Sequence, residues 1–160
     1  MQNFFQASPE NPYHLSIGAV LLDQENRIIC HHFNKVGSFE DVYLLMTETI
    51  RSNETIENAI QRGLLEEFGA TGVIERFLGT EIYNDPWFGE TNKDVIVEKT
   101  VPFFVIKMTD LDEQKRDKEG REGGSKIVRM EKNDLLNKVE DQFERYNVNY
   151  LNFPKILKRL

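Results

Sequence analysis

A carboxylate stands where an apolar side chain belongs. Residues 54–70 read ETIENAIQRGLLEEFGA. At about 100° per residue, Ile56, Ile60 and Leu64 line one face of a helix, flanked by Ala59 and Gly63. Glu67 projects into the middle of that stripe, between the directions of Ile60 and Gly63, and Glu66 lies on its edge. Arg62 sits one turn before Glu66. A carboxylate on a core-facing position is costly to bury unless a cation, a hydrogen-bond network or a metal meets it.

The flanks set the ends of this helix. It starts near Thr55, with Glu54 and Glu57 at its positive N-terminal end, and Gly69 is placed to stop it. Upstream, Pro9 and Pro12 make residues 1–13 a polar arm. His14 to Leu22 and Arg27 to Phe33 are strands joined by the turn Asp23-Gln24-Glu25-Asn26. Val36 to Phe39 is expected as loop, Val42 to Met46 as a short strand, and Thr47 to Asn53 as a polar connection. Downstream, Val73 to Tyr83 and Val97 to Met108 are strands, with Pro102 implying a bulge or an edge position. Tyr83 and Phe104 belong to the core.

Thr109 to Ser125 is nearly all charge and glycine and reads as a flexible loop or lid. Ile127 to Met130 is a last strand. Asn133 is expected to cap a helix carrying Leu135, Leu136, Val139 and Phe143, and Pro154 opens a final one. The pattern implies α/β architecture in one domain over residues 1–160.

Composition narrows the function. A net charge of −7 repels phosphate backbones and argues against a nucleic-acid polymer as partner. A small phosphorylated ligand remains compatible, because carboxylates bind phosphates through divalent cations. The single cysteine, Cys30, cannot form an intrachain disulfide and fits a reducing, cytoplasmic setting. No segment reaches the ~20 apolar residues of a membrane span. His31 and His32 are neighbours on a strand and point to opposite faces. His14 is isolated, no Cys/His zinc spacing exists, and Gly123-Gly124-Ser125-Lys126 lacks the spacing of a phosphate loop.

The helix and its approach resemble the Nudix hydrolases, whose motif is G-x5-E-x7-R-E-U-x-E-E-x-G-U with U a bulky aliphatic residue. Glu54, Arg62, Leu64, Glu66, Glu67 and Gly69 fall on their motif positions without a gap. The strand order around them is similar from His14 onward. The resemblance implies an α/β/α sandwich with a mixed central sheet. It further implies a pyrophosphohydrolase acting on nucleoside diphosphates linked to another moiety, dependent on Mg²⁺ or Mn²⁺. Glu66 and Glu67 are then the metal ligands and catalytic carboxylates, Arg62 orients a glutamate, and Glu54 and Gly69 are structural. A homodimer is compatible with this family.

Three motif positions depart from the pattern. The opening glycine is Glu48, and the glutamate directly after the arginine is Gly63. The last position is Ala70, small where a bulkier aliphatic is usual. Glycine inside a helix costs about 1 kcal/mol relative to alanine, so Gly63 reflects drift, close packing of a strand, or a metal shell relocated to Glu48. These options separate a slow enzyme from a non-catalytic module that binds a nucleotide or a protein through the same pocket. Trp87 and Phe88 are candidates for stacking a nucleobase, or for covering a core edge. Asp112, Glu113, Glu119 and Glu122 lie where some Nudix enzymes supply a base, or on a solvated loop.

Overall fold

The computed structural model describes residues 3, 5–85, 96–148 and 152–160. Strand β1 (Tyr13–Leu22) is buried on both faces from Ser16 onward, which marks a central strand covered on two sides. Asp23 turns the chain into β2 (Ile28–Val36) by accepting the backbone N–H groups of Glu25 and Arg27, each at 2.9 Å. Then follow β3 (Phe39–Leu44), β4 (Met46–Thr49), helix α1 (Ile56–Phe68), the long strands β5 (Ala70–Asp85) and β6 (Val97–Leu111), β7 (Lys126–Met130), α2 (Lys132–Tyr146) and α3 (Pro154–Leu157).

The strand order is β3-β2-β1-β6-β5, with β4 beside β1 and β7 beside β2. Parallel pairing of β1 with β6, among otherwise antiparallel pairs, makes the sheet mixed. Helix α1 covers one face, where Ile60, Leu64 and Phe68 meet Ile17, Ala19, Leu21, Ile29 and Met46. Helices α2 and α3 cover the other, where Leu135, Val139, Ile156 and Leu157 meet Val20, Leu22, Ile28 and Phe103. The chain is therefore the expected α/β/α sandwich. No helix among the described residues is long and apolar enough to cross a membrane.

Local signals set the ends of α1. Thr55 Oγ1 accepts the Asn58 N–H at 3.2 Å. Gly69 adopts φ 67°, and its N–H closes back onto the Leu65 carbonyl at 2.9 Å. An added Cβ at Gly69 would also collide with the Asp112 carbonyl.

Several sequence expectations shift. Thr47 to Thr49 form strand β4, because their backbone groups pair with Ser16 to Gly18 of β1. Ile56, the first member of the apolar stripe, is 39% exposed. Glu131, not Asn133, stands at the start of α2, without a side-chain cap. Gln142 rather than Phe143 takes the buried position on α2, because its amide bonds both backbone groups of Tyr43, at 2.7 and 3.1 Å. Pro102 lies in an interior strand, opposite Thr80 and one residue beyond the β5 bulge between Phe77 and Gly79. The charged segment begins only after Leu111 and contains two 3₁₀ turns, Glu113–Lys115 and Arg121–Gly124.

The N-terminal arm is fastened by His14, which is buried. Its Nδ1 accepts the Ala7 N–H at 3.3 Å, so the ring hydrogen sits on Nε2, 3.0 Å from Thr49 Oγ1. Burial, aided by the Lys99 charge, lowers the His14 pKa from 6.5 to about 4. The folded state thus resists a proton that the unfolded chain takes up. The stabilisation is complete above pH 6.5 and is lost as pH falls toward 4, by about 3 kcal/mol. His14→Gln is expected to remove this part of the acid dependence, as read from urea midpoints at about pH 7 and pH 4.5.

Candidate metal and catalytic site

Arg62 gathers the N-terminal half of the site. Its Nε and Nη2 take the two Glu54 oxygens at 2.8 and 2.9 Å, and Nη2 also donates to the Thr49 carbonyl at 2.8 Å. Nη1 lies 3.0 Å from Glu48 Oε1 and 3.4 Å from Glu66 Oε2. The Arg62 hydrogen bonds hold the Glu54 carboxyl below the usual carboxylate range. Reciprocally, the bond to Glu54 raises the Arg62 pKa. Glu54 also accepts the Arg51 N–H at 2.9 Å, which fixes the turn into α1.

Gly63 faces β4. A Cβ built there would lie 3.0 Å from Met46 Cε and 3.1 Å from Glu48 Cβ. The missing side chain therefore lets strand and helix approach, and the Glu48 stem fills the space in front of Gly63. Gly63 and Glu48 face each other across this contact. Glu48 and Glu66 thus converge on one guanidinium nitrogen, both partly exposed. Oxygen donors of this kind suit a hard divalent ion that keeps several waters. Among the described residues, no three His, Cys, Asp or Glu side chains form a group arranged to hold a metal.

Glu67 is buried as its place in the stripe implies, at 6% exposure. Its partner is His31 on β2, whose Nε2 lies 2.9 Å from Glu67 Oε2. The imidazole stacks on Phe68 at 4.3 Å between centroids, and its Nδ1 lies 2.8 Å from Ser125 Oγ. Arg116 Nη2 donates to the same hydroxyl at 2.9 Å, and Arg116 Nη1 to the Ser125 carbonyl at 3.1 Å. His31 was the residue that sequence reasoning passed over. Its signal was its place between Ile29 and Phe33 in the alternation of β2, an uncommon polar group on the face that α1 covers.

The other candidates fall as follows. Asp112 accepts the Gln114 N–H at 3.1 Å through its side chain, and its own N–H bonds the Gly69 carbonyl at 2.9 Å. The Asp117 N–H bonds the Glu66 carbonyl at 2.8 Å. The segment after β6 is thereby fastened to the C-terminal end of α1. Glu122 contributes its carbonyl to Arg116 and Ser125. His32 points to the opposite face from His31, onto Asp41 at 2.8 Å. Trp87 and Phe88 lie outside the described residues.

No protein-family model and no curated protein matches the chain. Solved structures do. A NUDIX hydrolase from Nitrosomonas europaea is similar at TM-score 0.58 and 16% identity, over 78% of this chain and 76% of that one. The MutT protein from Methanosarcina mazei Go1 is similar at TM-score 0.53 and 16% identity, over 95% and 97%. The E. coli ORF135 protein is similar at TM-score 0.54 and 9% identity, over 95% and 92%. The fold is the Nudix fold.

Arg62→Ala is expected to cost about 3 kcal/mol in chemical denaturation, because it leaves the Glu54 carboxylate with little compensation. Gly63→Glu alone is expected to lower the thermal midpoint, since the new stem meets Met46 and the Glu48 Cβ. The exchange Glu48→Gly with Gly63→Glu should restore it; a double variant no more stable than the single one would contradict the paired-exchange geometry.

Proposed function

We propose that this chain hydrolyses a pyrophosphate bond in a nucleoside diphosphate derivative, slowly, with Mg²⁺ or Mn²⁺ as cofactor. The observation that carries this reading is the placement of Glu48 in the space before Gly63, beside Glu66 on the same Arg62 nitrogen. This placement returns a carboxylate to a helix face that has lost one. Glu48 and Glu66 would hold the ion, with Glu67 as a third ligand. A bound divalent ion supplies charge neutralisation on the phosphates and lowers the pKa of an attacking water.

The protein's own residues have distinct tasks in this reading. Arg62 keeps Glu48 and Glu66 together and offsets their mutual repulsion. Glu54 fixes Arg62 through two hydrogen bonds, and Gly69 ends the helix so that Asp112 can close on it. The net charge of −7 favours a small, metal-bridged ligand over a nucleic-acid polymer. A cytoplasmic setting suits the lone buried thiol of Cys30.

One observation favours a second reading. Glu67 already has a partner in His31, which suits a module that binds a nucleotide without turnover. Incubating the protein with a panel of nucleoside diphosphate derivatives, with and without Mn²⁺, separates the two. The hydrolase reading expects Mn²⁺-dependent release of phosphate or nucleotide that falls by at least ~10-fold in Glu66→Gln. Nucleotide binding without release supports the module. Unchanged divalent-ion affinity in Glu48→Gln would remove Glu48 from the site.

A further inference from the structure

His31 holds the carboxylate that the metal reading assigns as its third ligand. We propose that it is a positioning residue that withholds Glu67 from the divalent site, so that imidazole and ion compete for one carboxylate. This rests on the metal reading given above.

The hold on Glu67 is built from the far side of the pair. Ser125 Oγ donates its one hydrogen to the Glu122 carbonyl at 2.7 Å and accepts from Arg116 Nη2 at 2.9 Å. On the His31 side, Ser125 Oγ lies 2.8 Å from Nδ1 and holds that edge of the ring. The ring is thus fixed with Nε2 toward Glu67 Oε2, and stacking on Phe68 fixes its plane. Arg116 and Ser125 are anchored in turn, since the segment that carries them bonds the Gly69 and Glu66 carbonyls through Asp112 and Asp117.

Burial decides between support and competition. A hydrogen bond from histidine can orient a ligating carboxylate, but a divalent ion that keeps several waters needs open space. The side chains of Glu48 and Glu66 are 21% and 40% exposed, whereas that of Glu67 is 7%. Glu67, bonded to His31, is the least exposed of the three carboxylates. The chain Arg116–Ser125–His31–Glu67 therefore keeps the third ligand inside.

Mn²⁺ affinity of the full chain, measured by titration calorimetry, tests this. His31→Phe keeps the ring stack and removes both nitrogens; it is expected to bind Mn²⁺ about 10-fold tighter than the wild type. Adding Glu67→Gln to His31→Phe should cancel the gain. Ser125→Ala, which loosens the ring, should give a smaller gain, and it decides the matter if His31→Phe does not fold. Equal or weaker binding in both variants overturns the proposal, weaker binding making His31 a support for Glu67. Wild-type binding that depends on Glu66 but ignores His31 overturns only this inference, whereas Mn²⁺ binding by none of the variants overturns the metal reading as well.

Discussion

The guanidinium of Arg62 is the constraint on which the candidate site depends. It takes both oxygens of Glu54, a backbone carbonyl of β4, and one oxygen each of Glu48 and Glu66. These groups come from the turn before α1, from β4 and from α1 itself. One cation therefore sets how the strand, the turn and the helix meet. The planar fork suits this task, because a lysine would offer a point charge without the paired geometry toward Glu54. Glu54, whose side chain is 13% exposed, depends on that fork for its compensation.

The C-terminal half of α1 is organised around a different group. There the carboxylate of Glu67 points into the packed layer and meets an imidazole, with a hydroxyl and a second arginine behind it. The helix thus carries two acidic sites of unlike character. The Arg62 side is partly open and rich in oxygen. The His31 side is buried and paired within the protein. Gly63 lies between them, and its bare backbone lets β4 press against the helix at the level where both sites begin.

Much of this was legible from residue order. Thr55 and Gly69 marked the ends of α1 because capping and left-handed termination act through a few neighbouring residues. The burial of Glu67 followed from periodicity, since Ile60 and Leu64 point the same way. The strand pattern and the long helix were enough for an α/β sandwich. Thr47 to Thr49 were misread as a connection because their strand character comes from pairing with Ser16 to Gly18. Gln142 escaped notice for a similar reason: its polarity is satisfied by Tyr43, 99 residues away.

The sequence by itself determined that a carboxylate would be buried on α1, and which face it would occupy, because helical geometry is local. Which group meets that carboxylate was decided only by tertiary structure. His31 is 36 residues from Glu67 and Ser125 is 94 from His31, and they converge because β2 and β7 pair under the helix. The same holds for Glu48, which comes to Gly63 only when β4 joins β1. A spacing pattern reports where a side chain leaves its own backbone; its partner depends on how separate elements pack, and no local period encodes that.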